Sequence, residues 1–205
     1  MSDLRTELLG RRTPALPPFR ILLPAGWLAF DLSEEQEDRV ISQGLARLAA
    51  SGNGGMSAKI APMLRDAFTS LRRQSGFAYA IPGEGAPTWA VGPASIIGIK
   101  RASTPEFTLD DVVMRVVAEH GAAPLGGDER ILAWSEQRTV TVDDETARAL
   151  TLNYLIPIPG TRRTQAVHWI VTTACAPDVP EDAPGLQEWK LLFDVHMATF
   201  AWLPE

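Results

Sequence analysis

The stretch ARALTLNYLIPIPGTRRTQAVHWIVTTA, residues 147–174, decides the fold class of this chain. Polar and apolar residues alternate on both sides of Pro159-Gly160, and a period of two residues is typical of a β-strand. The Pro-Gly pair marks a turn between the two runs. We therefore predict strands over 147–157 and 165–174 that pair as an antiparallel hairpin.

The same reasoning predicts further strands on the N-terminal side, over residues 19–23, 77–81, 89–100, 130–137 and 139–143. Four other segments have the helical period, at 33–50, 57–75, 108–120 and 185–202. Ser33 with Gln36 predicts a capping box for the first helix, and Thr108 an N-cap for the third. Pro62 places the start of the second helix close to itself.

This order of elements predicts the α+β class. Strands in consecutive hairpins are antiparallel, and the helices between them must cover a sheet face. We expect a three-layer α/β/α sandwich around a mostly antiparallel sheet of about six strands. Residues 1–17, with Pro14 and Pro17, form an extended or flexible N-terminal arm, and residues 18–205 form one domain.

Composition excludes several function classes. The net charge of −6 gives no basic footprint for nucleic acid, and no run of 18 apolar residues suggests a membrane span. The chain has one cysteine, Cys175, so an internal disulfide is impossible and a reducing, cytoplasmic location fits best. The acidic group at residues 31–38 is interpreted as solvated surface or as a face for a basic partner.

The opening FRILLPAGW, residues 19–27, resembles the "strand, Pro, Gly-Trp" start of PsbP-like domains. That superfamily includes the extrinsic photosystem subunit, a Ran-binding nuclear import factor, effector chaperones of bacterial secretion systems and actinobacterial lipoproteins. The segment from Leu192 to Trp202 is similar to its closing helix. The resemblance implies an antiparallel sheet between helices and a binding or scaffolding role. The chain departs from the lipoproteins because it has no lipid-acceptor cysteine near its start.

No catalytic or metal motif emerges from the residue spacing. His120, His168 and His196 have no second ligand type at i+3 or i+4, so we expect no metal and no cofactor. We expect His120 to cap a helix, His168 to face away from Trp169, and His196 to lie in the core. The best enzyme alternative is a cysteine hydrolase that uses Cys175 with His168 or His196.

The six tryptophans carry the functional prediction. Trp89 and Trp202 lie near element ends, where amphipathic rings often mark a binding surface; Trp27 and His168 complete the candidate binding residues. We predict a non-catalytic protein-binding module with an unknown protein partner: an adaptor, chaperone or accessory factor. The alternative is a small-molecule-binding domain. A partner site would expose Trp89 or Trp202, whereas a ligand site would be concave, with His168 or His196 among its polar groups.

Overall fold

The computed structural model describes residues 16–50, 57–83, 86–87, 94–142, 145–180 and 182–204. Within these ranges the helices are α1 (Glu34–Ala50), α2 (Ser57–Arg73), α3 (Leu109–His120) and α4 (Pro184–Ala198). The strands are β1 (Phe19–Arg20), β2 (Trp27–Phe30), β3 (Gly76–Pro82), β4 (Ala94–Ala102), β5 (Ala123–Leu125), β6 (Asp128–Val142), β7 (Glu145–Pro157), β8 (Gln165–Cys175) and β9 (Ala201–Trp202). The predicted α+β class is confirmed.

The main sheet is antiparallel and has the order β2-β3-β4-β8-β7-β6-β5. The predicted hairpin over 147–174 is β7 and β8, with Tyr154 opposite Trp169 and Leu155 opposite His168. The strands β1 and β9 form a separate antiparallel pair, in which Phe19 lies opposite Trp202. Seven strands, rather than about six, thus make up the main sheet.

Several element boundaries differ from the prediction. β6 is one continuous strand where two were expected, because residue 138 is an ordinary ladder position opposite Ala149. The strand predicted over 19–23 has only two residues, and the unpredicted β2 follows the turn that Trp27 closes by donating to the Pro24 carbonyl. The closing helix ends at Ala198 rather than at 202, because the next residues pair with β1. Of the predicted arm, only Leu16 and Pro17 lie in the described residues, and Leu16 packs against the core.

The N-termini of the helices show how local sequence places them. Thr108 caps α3 as predicted, and Asp111 completes its capping box. At α1 the Ser33 hydroxyl accepts from the Gln36 amide, but Asp31 instead of Gln36 accepts from the Ser33 amide at 2.9 Å. Helix α2 begins at Ser57, so Pro62 lies inside it and not near its start.

Buried apolar residues form three clusters around the main sheet. Trp189, Phe193 and Met197 of α4 pack in the largest, which also contains Trp169 and Tyr154. Leu109 and Val116 of α3 pack with Trp134, Leu155 and Ala166. Phe68 of α2 and Val40 of α1 pack with Phe30 and Leu32, next to β3. The sheet is therefore covered by helices at three places.

Gly98 of β4 lies where two aromatic rings of the largest cluster leave no room for a side chain. A Cβ at this position would lie 2.7 Å from Phe77 Cζ and 2.9 Å from Trp169 Cζ3. These two rings pack edge to face, with centroids 5.2 Å apart, so neither moves without disturbing the other. We expect Gly98→Ala to lower the free energy of unfolding by about 1–3 kcal/mol in urea titration.

Gly44 of α1 provides the matched control, because a Cβ there meets no atom within 4 Å. Gly44→Ala is expected to raise the free energy of unfolding by about 0.5–1 kcal/mol through backbone entropy. If Gly98→Ala is as stable as the parent protein, the packing of the two rings does not require a glycine at this position.

Candidate functional site

Trp202 is held in place at the edge of the largest core cluster. Its indole Nε1 donates to the Pro157 carbonyl at 3.1 Å. Its ring packs edge to face against Phe200 and Phe19, with centroid separations of 5.0 and 6.1 Å. The side chain remains only partly buried, so one part of the ring is anchored and another is available to a ligand.

A cleft of about 540 Å³ opens beside this ring. Ile131, Ile156, Ile158 and Phe200 line it together with Trp202. The volume lies in the range of ligand-binding sites, which are typically apolar with a few polar groups. The cleft can therefore bury one bulky apolar side chain or a small ligand.

Two arginines line the same cleft with an unusual backbone conformation. Arg162 and Arg163 have φ angles of 51° and 61°, in the left-handed region that non-glycine residues rarely adopt. Threonines hold the loop: Thr161 Oγ1 donates to the Ile158 carbonyl, and Thr164 Oγ1 to that of Thr161, both at 2.7 Å. The Thr164 amide also donates to the Thr161 carbonyl at 3.0 Å, so Arg162 and Arg163 are the two central residues of a tight turn between β7 and β8.

Of the three arginines that line the cleft, two form ion pairs with carboxylates of the described residues and one does not. Asp128 accepts three hydrogen bonds from Arg130, two from the guanidinium and one from the backbone amide, and these lower the pKa of Asp128 to about 2. Arg163 lies 3.6 Å from Asp110, and both side chains are exposed. Arg162 has no ion pair within the described part of the chain. Glu129, which also lines the cleft, likewise has no ion pair among the described residues, so Arg162 supplies a positive charge that no direct ion pair neutralises.

His168 belongs to a second site, a buried polar network on the α3 side of the sheet. Arg101 Nε donates to His168 Nδ1 at 3.4 Å, and His168 Nε2 lies 3.0 Å from Asn153 Oδ1. Since Nδ1 accepts, Nε2 carries the proton and donates to Asn153. Burial, and then the charge of Arg101, lower the pKa of His168 to about 3. The ring is therefore neutral at physiological pH.

The network continues from Asn153 to a carboxylate. Asn153 Nδ2 donates to Glu136 Oε1 at 3.3 Å, and Trp134 Nε1 donates to the same oxygen at 2.6 Å. The Trp134 ring also stacks on His168, with centroids 5.2 Å apart. A cavity of about 320 Å³ lies beside Arg101, His168 and Trp134. This site is concave and contains His168, as the small-molecule alternative requires.

The neutral His168 makes stability depend on pH. Its folded-state pKa of about 3 lies below the ordinary value of 6.5, so between these values the unfolded chain binds a proton that the folded chain does not. Stability must therefore fall as pH decreases through 6.5, by about 1 kcal/mol between pH 7.5 and 5.5 from this group alone. Urea titrations should show this loss in the parent protein and a smaller loss in His168→Gln; parallel losses in the two proteins would contradict it.

The candidate binding residues do not converge on one site. Trp202 lies in the cleft and His168 in the buried network. Trp27 packs edge to face on Phe193, with centroids 5.3 Å apart, and is partly buried against the core. Trp89 lies outside the described residues. Of the three that the structure describes, Trp202 alone combines a partly buried ring with the larger cleft.

Several of the other titratable groups singled out from the sequence form a hydrogen bond or an ion pair with another residue. His196 is only partly buried, not a core residue, and its Nδ1 lies 3.1 Å from the Leu22 carbonyl. Gly121, rather than His120, closes the end of α3. In the acidic group, Glu37 is buried and binds Arg72 at 2.6 Å, whereas Asp38 pairs with Arg65 at 3.3 Å. Glu37 therefore belongs to the tertiary structure, whereas Asp31, Glu34 and Glu35 remain exposed on the surface.

The pairing of Cys175 with His168, one form of the cysteine hydrolase alternative, is excluded by distance. Cys175 and His168 lie on the same strand, seven positions apart, which is about 23 Å at about 3.3 Å per residue. The Cys175 thiol instead lies 3.7 Å from the Arg148 carbonyl. No group of three His, Cys, Asp or Glu side chains that could hold a metal ion occurs in the ranges that the structure describes.

No family model, curated protein or solved structure matches the chain. Among the described helices, none is long and apolar enough to cross a lipid bilayer. The function proposed below is therefore argued from the geometry of the described residues.

Sequence reasoning missed the arginines of both sites. Asn153 was the one available signal for the network. It is a polar residue directly before the apolar run Tyr154-Leu155-Ile156, and a buried amide needs hydrogen-bond partners. Arg101 and His168 are 67 residues apart in the sequence, and no local sequence pattern predicts their contact.

Proposed function

We propose that the chain is a non-catalytic protein-binding module, an adaptor, chaperone or accessory factor, and that the Trp202 cleft binds a segment of its partner. The observation that carries the proposal is the pair of arginines in left-handed conformation beside an apolar cleft with a tryptophan wall. Tryptophan and arginine are the residues most enriched at the energetic centres of protein interfaces.

The partner segment is an acidic one with a bulky apolar anchor residue. The anchor would fill the floor formed by Ile131, Ile156 and Ile158. Carboxylates flanking the anchor would meet Arg162 and Arg163, because guanidinium groups bind carboxylates through paired hydrogen bonds. The cleft lining contains three arginines beside Asp128 and Glu129, in a chain whose net charge is −6, so Arg162 and Arg163 would also orient an acidic segment.

We also propose a cellular location, a layer arrangement and a family relationship for the protein. We place the protein in the cytoplasm, on the support of its single cysteine. We interpret the fold as a three-layer α/β/α sandwich, supported by the adjacent β8 residues His168 and Trp169, which lie at different helix-covered clusters. Kinship with PsbP-like domains is also proposed, on the opening motif that ends at Trp27.

A peptide-display selection tests the binding function without knowledge of the host. Random linear peptides are selected on the immobilised parent protein and, in parallel, on Trp202→Ala. We expect the parent protein alone to enrich peptides that combine Asp or Glu with one aromatic or large aliphatic residue. Enrichment of the same peptides on both proteins, or of basic peptides, would reject the cleft as the partner site.

The small-molecule alternative gives a different result in the same material. If the cleft serves a small ligand, native mass spectrometry of the protein purified from its host should show one additional bound mass that is absent from Trp202→Ala, and the selection should enrich no peptide class. That pair of outcomes would replace the protein-binding function with the ligand-binding one.

A further inference from the structure

Arg101 is a partly buried cation that has no carboxylate partner. Its one hydrogen bond to a described residue is that of Nε to His168, and none of the ion pairs among these residues includes it. Because His168 accepts at Nδ1 only, this contact occupies Nε and leaves both terminal guanidinium nitrogens for another group. Burial of the guanidinium lowers the pKa of Arg101, and no anion offsets that effect.

Of the acids nearest in sequence to the cavity, Glu106 is exposed and forms no ion pair with Arg101, and the two at the start of α3 are already engaged. At the start of α3, Asp111 accepts from both the amide and the hydroxyl of Thr108. Asp110 lies 3.6 Å from Arg163. Glu136, at the far end of the network, accepts from Trp134 and Asn153 and does not contact Arg101. Arg101 is only partly desolvated, but it has no carboxylate partner among the described residues, so an external anion would gain more from it than from a fully solvated arginine.

The walls of the cavity define the rest of the ligand. Phe107, Leu109, Val112 and Leu155 are apolar, and Trp134 adds an aromatic surface. A volume of about 320 Å³ is at the small end of ligand sites. We infer that this cavity binds a small monocarboxylate with an aromatic or branched aliphatic body, whose carboxylate pairs with the terminal nitrogens of Arg101.

The hydrogen bonds around His168 explain how Arg101 would be oriented for this task. Asn153 holds Nε2 of His168, and Glu136 holds Asn153 and Trp134, so the imidazole presents Nδ1 to Arg101 in a fixed direction. His168 is thus a positioning residue rather than a second charge. The site shares no lining residue with the Trp202 cleft, so the inference stands or falls independently of the proposed protein-binding function.

Benzoate and phenylacetate are suitable probes, with benzamide and phenylacetamide as uncharged controls of the same shape. The readout is the indole N–H resonance of Trp134 in nitrogen-15 NMR spectra, assigned with Trp134→Phe, because that N–H reports on the cavity wall. We expect saturable shifts with the carboxylates and at least tenfold weaker binding of the amides. Arg101→Gln should weaken carboxylate binding at least tenfold, whereas Arg101→Lys, which keeps the charge, should weaken it less.

Arg138→Gln is the control, because Arg138 is exposed on β6 and lies outside the cavity. It should leave the carboxylate affinity within twofold of the parent value. Equal binding of carboxylates and amides, undiminished binding to Arg101→Gln, or no saturable shift with either carboxylate at about 10 mM would overturn the inference. If Arg101→Gln does not fold, the comparison of carboxylates with amides on the parent protein and on Arg101→Lys still decides the question.

Discussion

Deletion of residues 186–205 is expected to abolish cooperative folding. The deletion removes Trp189, Phe193, Met197 and Phe200, which are at most 6% exposed, together with β9. Burial of four large side chains contributes roughly 6–12 kcal/mol at about 1.5–3 kcal/mol each, which matches the whole stability of a typical domain. Circular dichroism should show no cooperative thermal transition in the truncated protein.

A shorter deletion provides the control. Removal of residues 203–205 deletes the exposed Leu203 and one backbone hydrogen bond, from the Leu203 amide to the Pro18 carbonyl. This variant should melt cooperatively within a few degrees of the parent protein. A protein without residues 186–205 that melts cooperatively near the parent temperature would show that α4 does not complete the core.

The second large effect is expected at the cleft. Trp202→Ala should weaken the binding of a selected acidic peptide at least tenfold, because it removes the wall against which the anchor residue packs. Arg162→Gly should weaken the same binding several-fold through the loss of one charge-assisted contact. Isothermal titration calorimetry at low and moderate salt measures both effects, and the contribution of Arg162 should decrease with salt.

The conformation of Arg162 separates a functional role from a structural one. With φ at 51°, this position favours glycine, so Arg162→Gly should melt at or above the parent temperature while it binds less tightly. Arg138→Gln, which removes a positive charge elsewhere, should change the affinity less than twofold. Arg162→Gly that binds normally, or that unfolds, would mean that the arginine serves the loop rather than a partner.

The parts of the fold that sequence could predict are those with local causes. The β7–β8 hairpin follows from alternation around Pro159-Gly160, and the start of α3 follows from Thr108 with Asp111 three residues later. The opposite orientations of His168 and Trp169 also follow from the period of a strand. In each case the residues that determine the structure are close together in the sequence.

The parts that could not be predicted depend on distant partners. β9 exists because Ala201 pairs with Arg20, at the other end of the chain, so helical periodicity in residues 199–202 is overridden. The same applies to β2, whose pairing with β3 spans both α1 and α2. A short apolar run has no signal of its own that distinguishes it from a loop.

The candidate sites, too, could be predicted from the sequence only where their cause is local. The position of Trp202 near an element end indicated a surface role, but its cleft is formed by strand β6, the β7–β8 loop and β9 together. The left-handed conformation of Arg162 and Arg163 has no sequence signal, because arginine rarely adopts it. It results from the hydrogen bonds of Thr161 and Thr164 around it.

The most direct test of the central claim is the location of a bound acidic peptide on the protein surface. A selected peptide with a spin label beside its anchor residue is titrated into nitrogen-15-labelled protein. We expect selective broadening of the Trp202 indole N–H and of the Arg162 and Arg163 amides. Broadening centred instead on Leu191 and Val195, the exposed apolar residues of α4, with the Trp202 signal unchanged, would contradict the assignment of the cleft.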